Sequence, residues 1–315
     1  MRGAATKTKE LIEFACSLLA ELHPMTLRQL HYAIFSRQEI DYTNTQRDYR
    51  RLSRVTTEAR RQYRRMELAG RAQGIDISQF ALADDEIPGS WILDETREAE
   101  SVSVWEDSAA YIDTVKRAYR RDNWQGQPNY CELWSEKATV LSSVRPIASK
   151  WGVTVRTIHG FSSTGMESDT GYLFEGMEKN ITVFYLGDHD PSGRCIEDDI
   201  HRRVETASGR YFEMVRLAIH AHDIRLFNLP PQMVKETDTR ARAFRKEYGA
   251  DAATVELDAL PVDALRYRLE RTVTGLLDMD LWNHQVRIQE VEFASIAEIA
   301  DKMKHLSPPE TQSNA

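Results

Sequence analysis

Two acidic residues stand close together at the end of a hydrophobic run. The stretch ITVFYLGDHDPSG (181–193) begins with six residues typical of a buried strand and continues into Asp188 and Asp190. Because residues two apart in an extended chain direct their side chains to the same side, the two carboxylates should lie together. Such like charges repel, and a divalent cation that prefers hard oxygen ligands, Mg²⁺ or Mn²⁺, removes that cost. The alternative is a structural turn, in which one Asp closes the strand and Ser192 caps the following helix.

A third carboxylate, Glu136, ends an earlier strand-like run. In YCELWSEKATV (130–140) it holds the position after its strand that Asp188 holds after a later strand. Adjacent parallel strands would bring Glu136 near the two aspartates, and three acids suffice for a metal ion plus an acid–base group, as in phosphodiester chemistry. The alternative is an exposed strand end in which Glu136 pairs with Lys137.

Strand-like and helical stretches alternate around these acids. Four runs predict strands: YCELWSE, GVTVRTIHG, ITVFYLGD and RYFEMVRLAI. Helical patterns follow the first three, over 138–150, 163–179 and 192–206. This alternation predicts an α/β fold with a Rossmann-like parallel sheet covered on both faces. Ligands of such sheets bind beyond the carboxyl ends of the strands, where the acids are expected.

The N-terminal region is predicted to be helical over residues 7–70. Leu27, Leu30, Ile34 and Phe35 share one helix face, with Thr26 as the N-cap, and a second helix is expected near 45–68. Short helices separated by small turns favour a helix-turn-helix or winged-helix module. We divide the chain into four parts: a winged-helix-like domain (1–75), a connector with one packed helix (76–127), the sheet domain (128–225) and a C-terminal extension (226–315). The extension begins as a mixed segment and continues into an amphipathic helix near 282–305 and a polar tail.

Charge is distributed unevenly along the chain. The net charge of −8 taken alone disfavours a nucleic-acid partner, but residues 1–71 carry +6 and the remainder −14. This asymmetry indicates a basic module that grips phosphates, joined to an acidic one that holds metal. The alternative for the arginine run is a solvated helix face. The residues predicted to contact nucleic acid are Arg47, Arg50, Arg51, Arg54, Arg60, Arg61 and Arg194.

Composition narrows the class of protein. The chain has 315 residues, of which 41% are hydrophobic and 29% charged, as in an ordinary globular protein. No apolar run approaches membrane-spanning length, the N-terminus lacks a signal-peptide core, and three scattered cysteines indicate a reducing compartment. We therefore expect a cytoplasmic, nucleoid-associated protein without membrane contact. The sequence has no G-x-x-x-x-G-K-[ST] loop, so any ATP-driven activity would need a separate ATPase subunit.

The acidic motifs resemble a known family. A strand that ends in Glu, followed by a later strand that ends in Asp-x-Asp beside Gly, looks like the Toprim domain of topoisomerases, primases and related nucleases. GDHDPSG is similar to the motif in the A subunit of type IIB topoisomerases (topoisomerase VI) and the meiotic double-strand-break proteins. The segments KETDTRARAF and VELDALPVDALRYRLE also resemble the region after Toprim in that family. The resemblance implies that Glu136 is the general acid/base and third metal ligand, while Asp188 and Asp190 hold Mg²⁺.

The same family has a winged-helix domain with the motif T-L-R-E-hydrophobic-Tyr-Tyr, whose second tyrosine is the nucleophile. Here residues 26–32 are TLRQLHY, so the nucleophile aligns with Tyr32, and His31 replaces the first tyrosine. Tyr32 lies outside the apolar sector of its helix and close to Arg28 at i−4, whereas a core tyrosine would lie within that sector. Arg28, His31 and Arg194 are the groups expected to assist its attack on phosphate.

Three functions are open from the sequence. The first is Mg²⁺-dependent cleavage of double-stranded DNA by transesterification from Tyr32, in a homodimer as the family implies. The alternative is a Toprim hydrolytic nuclease of a defence or mobile-element system, with water as the nucleophile. The third is a catalytically silent DNA-binding module, against which the clustered acids argue.

Overall fold

Helices and a minimal sheet make up the N-terminal region. The computed structural model describes residues 2–93, 103–158, 164–234 and 240–304. The first elements are α1 (Arg2–Leu22), β1 (Met25–Thr26), α2 (Leu27–Arg37), α3 (Gln46–Ala72) and β2 (Ile92–Leu93), with β1 and β2 paired in parallel. The two expected helices, α2 and α3, are confirmed, although α3 ends four residues later than the predicted position 68. A winged-helix arrangement stays a prediction.

Helix α2 begins where the sequence predicts. Thr26 is its N-cap, and its hydroxyl accepts a hydrogen bond from the Gln29 backbone at 3.1 Å. The Gln29 side chain accepts in return from the Thr26 backbone at 2.8 Å, which completes a capping box. Leu30 and Ile34 are fully buried against Leu52 of α3. The apolar stripe of α2 therefore forms part of the core of the N-terminal region.

A four-stranded parallel sheet follows the connector helix α4 (Ser108–Ala118). The predicted connector segment also includes residues 94–102, which lie outside the described part. The sheet region consists of β3 (Asn129–Ser135), α5 (Ala138–Lys150), β4 (Thr154–Thr157), α6 (Thr164–Glu175), β5 (Asn180–Leu186), α7 (Pro191–Ser208) and β6 (Glu213–Ala218). The strand order is β4-β3-β5-β6, and each neighbouring pair is parallel. The predicted α/β class with a parallel sheet is confirmed.

The two faces of the sheet are buried by different helices. On β3, Leu133 faces the α5 side with Val144, while Trp134 faces the α6 and α7 side with Phe174. Strand β4 lies next to β3 on one edge, and the chain then returns past β3 to place β5 on its other edge. The direction in which strands are added therefore reverses between β3 and β5. Crossovers that leave to opposite faces open a crevice at the carboxyl ends of those two strands. Glu136 and Asp188 follow these two strands.

The C-terminal region contains more regular structure than the sequence analysis expected. It comprises α8 (Asp223–Leu226), β7 (Gln232–Met233), α9 (Ala241–Tyr248), β8 (Ala253–Thr254), a 3₁₀ turn (Leu257–Ala259), α10 (Val262–Leu276) and α11 (Met279–Lys304). Part of the segment expected to be mixed forms helix α10, in which Leu265, Leu269 and Val273 make a buried stripe on the sheet core. Helix α11 confirms the amphipathic helix expected near 282–305. Within the described ranges, no helix is both long and apolar enough to cross a membrane.

The packing of α6 on α7 requires a glycine. A Cβ atom added to Gly171 would lie 2.8 Å from Cβ of Ala207 and 3.0 Å from its carbonyl carbon. We expect Gly171→Ala to lower the free energy of unfolding by about 1–2 kcal/mol, since overpacking exceeds the gain in helix propensity. Gly275 of α10 is the control: no described atom lies within 4 Å of its added Cβ, so Gly275→Ala should raise stability by up to about 1 kcal/mol. Urea unfolding measures both changes, and equal stabilisation by the two substitutions would contradict the close contact.

Candidate active site

The loop after β5 joins Asp188 to an acid–base cluster. Oδ1 of Asp188 accepts a hydrogen bond from the Leu257 backbone at 2.7 Å and lies 2.9 Å from Nζ of Lys137. The same ammonium group lies 2.9 Å from Oδ2 of Asp258 and 4.0 Å from Oε2 of Glu256. Burial disfavours the charged form of Lys137, but the charges of Asp258 and Asp188 outweigh burial and raise its pKa. The cluster therefore contains a permanent internal cation.

Asp190 has a structural task of its own. It is the N-cap of α7, and its Oδ1 accepts from the backbone N–H of Gly193 at 2.6 Å. The expectation that Ser192 caps this helix was wrong, because Pro191 takes the first helical position and the cap must precede it. The Ser192 hydroxyl instead accepts a hydrogen bond from Arg240 at 2.9 Å. The structural alternative is thus confirmed for Asp190 as the helix cap, while its role as a metal ligand stays a prediction.

Glu136 lies against the same loop. Its Oε1 accepts a hydrogen bond from the Tyr185 hydroxyl at 2.5 Å. That oxygen is 2.7 Å from where a Cβ on Gly187 would be, and 3.3 Å from the equivalent position on Gly193, so the two glycines make room for the carboxyl group. Burial, and then the negative charges of the two aspartates, raise the pKa of Glu136 to about 7. An exposed Glu136 paired with Lys137, the alternative weighed from the sequence, was therefore wrong.

The donor chemistry of this loop fits a divalent cation. Burial is the main cause of the raised pKa of Glu136, and the charges of Asp188 and Asp190 add a repulsion that a cation would relieve. No three His, Cys, Asp or Glu side chains in the described part of the chain are arranged to hold a metal ion. One oxygen of Asp188 and one of Asp190 already accept hydrogen bonds from the protein. Metal binding at Glu136, Asp188 and Asp190 therefore stays a prediction.

Arg216 of β6 contacts the loop that follows β5 and stabilises it. It is nearly buried and pairs with Glu197 at 2.7 Å. Its guanidinium donates to the carbonyl oxygens of Gly187 at 3.0 Å and Asp188 at 3.3 Å, and it lies over the ring of Tyr185. Sequence reasoning missed this residue. The signal was an arginine inside the strand-like run EMVRLAI, since a buried guanidinium requires acceptors.

Tyr32 lies between the N-terminal region and the sheet domain. It is only 5% exposed and packs with the core of the sheet domain, not with the apolar stripe of its own helix. The predicted position outside that stripe is confirmed, but the inference that Tyr32 is therefore not a core residue was wrong. Its hydroxyl lies 3.5 Å from Oε2 of Glu256, and Arg28 lies 6.0 Å from its ring centre. Burial, and then the charge of Glu256, raise the pKa of Tyr32.

His31 lies beside Tyr32, with 5.3 Å between the two ring centres. Its Nδ1 is 2.5 Å from the Tyr42 hydroxyl, and its Nε2 is 3.0 Å from Oδ1 of Asn44. Both ring nitrogens are thus engaged, and burial lowers the pKa of the imidazole. The ring thereby fixes the segment between α2 and α3, and assistance from His31 to Tyr32 stays a prediction.

A cleft of about 690 Å³ separates α3 from the carboxyl edge of the sheet. One wall is a polar stripe on α3 at helical spacing: Tyr49, Ser53, Thr57 and Arg60. Arg28 of α2 also lines it. The opposite wall consists of the acid–base cluster: Lys137, Asp188, Glu256 and Asp258. The cleft therefore brings together residues of the N-terminal region and of the sheet domain that the sequence predicted to be functional.

The arginines predicted to contact nucleic acid differ in their exposure and in whether they form ion pairs. Arg47, Arg50 and Arg54 are exposed, and neither they nor the half-buried Arg60 form an ion pair with any described residue. Arg51 lies 3.6 Å from Asp48, and Arg61 lies 4.0 Å from Glu58. A groove of about 690 Å³ beside α3 is lined by Arg50, Arg54 and Arg61.

Arg194 is the predicted contact that the structure separates from the others. It lies on α7 and pairs with Glu197 at 2.6 Å and with Glu247 at 3.7 Å. Its ion pairs occupy the groups that would otherwise meet phosphate. The structure therefore does not bring Arg194 together with the α3 arginines as an unpaired cation.

Three further residues of the cleft were missed: Lys137, Glu256 and Asp258. The segment VELDALP carries two acids at i and i+2, the same spacing as the aspartate pair, and that was the available signal. Lys137 was considered only as a partner of Glu136. Its actual partners Asp188 and Asp258 lie 51 and 121 positions away, beyond the reach of any local pattern.

Comparison with known proteins does not assign a family. A scan of the sequence against models of protein families found no match, and a search of curated proteins found none either. The Toprim resemblance therefore stays a prediction based on the motifs themselves.

Proposed function

We propose that this protein cleaves double-stranded DNA by transesterification from Tyr32, with a Toprim domain over 128–225 and a winged-helix DNA-binding domain over 1–75. One observation carries the proposal. Arg28 of α2 and Lys137 and Asp188 of the sheet edge line one cleft, and α3 forms its other wall. The Tyr32 hydroxyl lies 3.5 Å from Glu256, which lines the same cleft. A phosphodiester in that cleft has cations, a nucleophile and clustered carboxylates around it.

The chain's own residues supply the steps of the reaction. Arg28 and Lys137 bind the phosphate oxygens and stabilise the charge that develops on them. The Tyr32 oxygen forms a bond to phosphorus while the bond from phosphorus to the sugar oxygen breaks. Because the pKa of Tyr32 is raised, its phenol loses its proton to solvent only as the attack proceeds. Glu136, with a pKa of about 7, donates a proton to the departing sugar oxygen.

The metal has a place in this scheme. Asp188 and Asp190 would hold Mg²⁺ or Mn²⁺, with Glu136 beside them. When bound, the ion neutralises negative charge on the phosphate. Cleavage of both strands needs two such sites, so we propose a homodimer on the duplex, and a separate ATPase subunit for any strand passage.

A hydrolytic nuclease is the second candidate, and the burial of Tyr32 favours it. A phenol that is 5% exposed has little access to a substrate, and burial together with the Glu256 charge raises its pKa, which opposes formation of the attacking phenolate. Water would then attack phosphorus. The products distinguish the two reactions, because hydrolysis leaves free DNA ends and transesterification leaves a protein–DNA bond.

Supercoiled plasmid tests the proposal. Incubation with Mn²⁺ should convert it to linear DNA whose mobility changes after protease digestion, and Tyr32→Phe should abolish this covalent product by removing the attacking oxygen. Tyr211→Phe is the control, since Tyr211 is 77% exposed. Cutting with free ends that persists in Tyr32→Phe would establish the hydrolytic nuclease instead. DNA binding without any cutting would establish the silent module.

A further inference from the structure

One carboxylate oxygen in the cleft is surrounded by groups that suit a phosphate. We propose that Arg28, Lys137 and Tyr32 form a site for the DNA phosphate, and that the Glu256 carboxylate fills this site until DNA displaces it. The inference rests on the proposed function and deepens it. It makes Glu256 an internal competitor of the substrate.

The geometry centres on a single atom, Oε2 of Glu256. It forms an ion pair with the guanidinium of Arg28 and lies 3.5 Å from the Tyr32 hydroxyl. The ammonium nitrogen of Lys137 lies 4.0 Å from the same oxygen. Two cations and a hydroxyl around one anionic oxygen make the arrangement that binds a phosphate oxygen.

An exchange of anions leaves the charge of the cleft unchanged. A phosphodiester carries one negative charge, as the Glu256 carboxylate does. If a phosphate entered while Glu256 stayed, two anions would compete for the same cations and repel each other. The phosphate therefore binds only when the carboxylate leaves.

Glu256 is the acid of the cluster that can leave. Its side chain is 29% exposed, whereas that of Asp258 is 4% exposed. Asp188 is held by both Lys137 and the Leu257 backbone. Glu256 also lines a second cavity of about 220 Å³ together with Asp188 and Asp190, and repulsion from these aspartates directs the displaced carboxylate toward solvent.

Rotation of the side chain is sufficient for the displacement. The backbone beside Glu256 is fixed by two hydrogen bonds between Val255 and His189, at 2.9 and 3.0 Å, and by the bond from Leu257 to Asp188 at 2.7 Å. The main chain thus stays in place while χ angles change. Glu256 acts as a latch on an otherwise rigid site.

Duplex binding without metal tests the latch. We expect Glu256→Gln to bind a short fluorescein-labelled duplex about tenfold more tightly than wild type in EDTA, as for a latch closed about nine-tenths of the time. Fluorescence anisotropy at about 0.1 M KCl measures the dissociation constants. Glu292→Gln is the matched control, because Glu292 likewise bonds an arginine (Arg121, 2.6 Å) and a tyrosine hydroxyl (Tyr119, 2.5 Å). It makes the same charge change on α11 and should alter affinity by less than about twofold.

The outcomes separate the latch from the proposed function. If wild type binds the duplex and Glu256→Gln binds no more tightly than Glu292→Gln, the latch is wrong and the cleavage proposal stands. If neither wild type nor Glu256→Gln binds the duplex, the latch and the DNA-cleavage proposal are both wrong. As a measurement that needs no Glu256 variant, wild type labelled with 3-fluorotyrosine should show a ¹⁹F shift at Tyr32 when duplex is added. Tyr32→Phe assigns that signal, and an unchanged signal on saturation with duplex overturns the latch.

Discussion

Replacing Arg216 with methionine should lower the free energy of unfolding by about 3–5 kcal/mol, the cost of breaking a buried ion pair. The Arg216 side chain is 7% exposed and its partner Glu197 is 10% exposed. Methionine fills similar space but leaves Glu197 with one fewer cation and the carbonyl oxygens of Gly187 and Asp188 without their donor. The loop that carries the aspartates should therefore loosen as the protein loses stability. Urea unfolding followed by circular dichroism measures the loss.

A neighbouring arginine provides the control for this prediction. Arg194 pairs with the same Glu197 at 2.6 Å, but its side chain is 27% exposed. We expect Arg194→Met to cost about 1 kcal/mol. The double substitution Arg216→Met with Glu197→Gln should recover part of the loss, because no unpaired charge is then buried. Equal losses from the two arginine substitutions would show that Arg216 does not support the loop.

Replacing Glu136 with glutamine should reduce DNA cleavage at least about 100-fold and yet stabilise the protein at pH 8. Glutamine cannot donate the proton to the sugar oxygen, which removes the acid. The stability gain follows from the pKa of about 7, which burial and the two aspartates raise above the value of about 4.3 in the unfolded chain. Between these values the folded state binds more protons than the unfolded state, so wild-type stability falls as pH rises from about 4 to 7. The variant lacks this loss and should be more stable by about 2–3 kcal/mol at pH 8, with little difference at pH 4.

Urea unfolding at pH 4 and pH 8 in EDTA measures how the stability difference between Glu136→Gln and wild type changes with pH. Glu132, on the strand β3 that ends just before Glu136, is the control with the opposite sign. It is fully buried and accepts hydrogen bonds from Arg156 at 2.9 Å and Trp134 at 2.7 Å. Glu132→Gln should therefore destabilise the protein at pH 8, because it leaves a guanidinium without its counter-charge. A Glu136→Gln protein that is less stable than wild type at pH 8 would refute the crowding of negative charge at this site.

Features that depend on neighbours along the chain were predictable. The bounds of α5 agree with the predicted 138–150, and Thr26 caps α2 as expected. The parallel sheet follows from the alternation of strands and helices, and the topology then puts Glu136 and Asp188 at one edge. Capping, periodicity and βαβ handedness act over a few residues or through chain connectivity, so they can be predicted from the sequence.

Partners of charged groups were decided by tertiary structure. Lys137 meets Asp258 across 121 positions, and Tyr32 meets Glu256 across 224. A tyrosine outside the apolar stripe faces solvent in an isolated helix, but here the core of the sheet domain covers Tyr32. The sequence by itself determined which acids and cations the chain carries and which sheet edge presents the acids. Only packing decided which of them meet, because burial and pairing energies depend on surfaces brought together from distant parts of the chain.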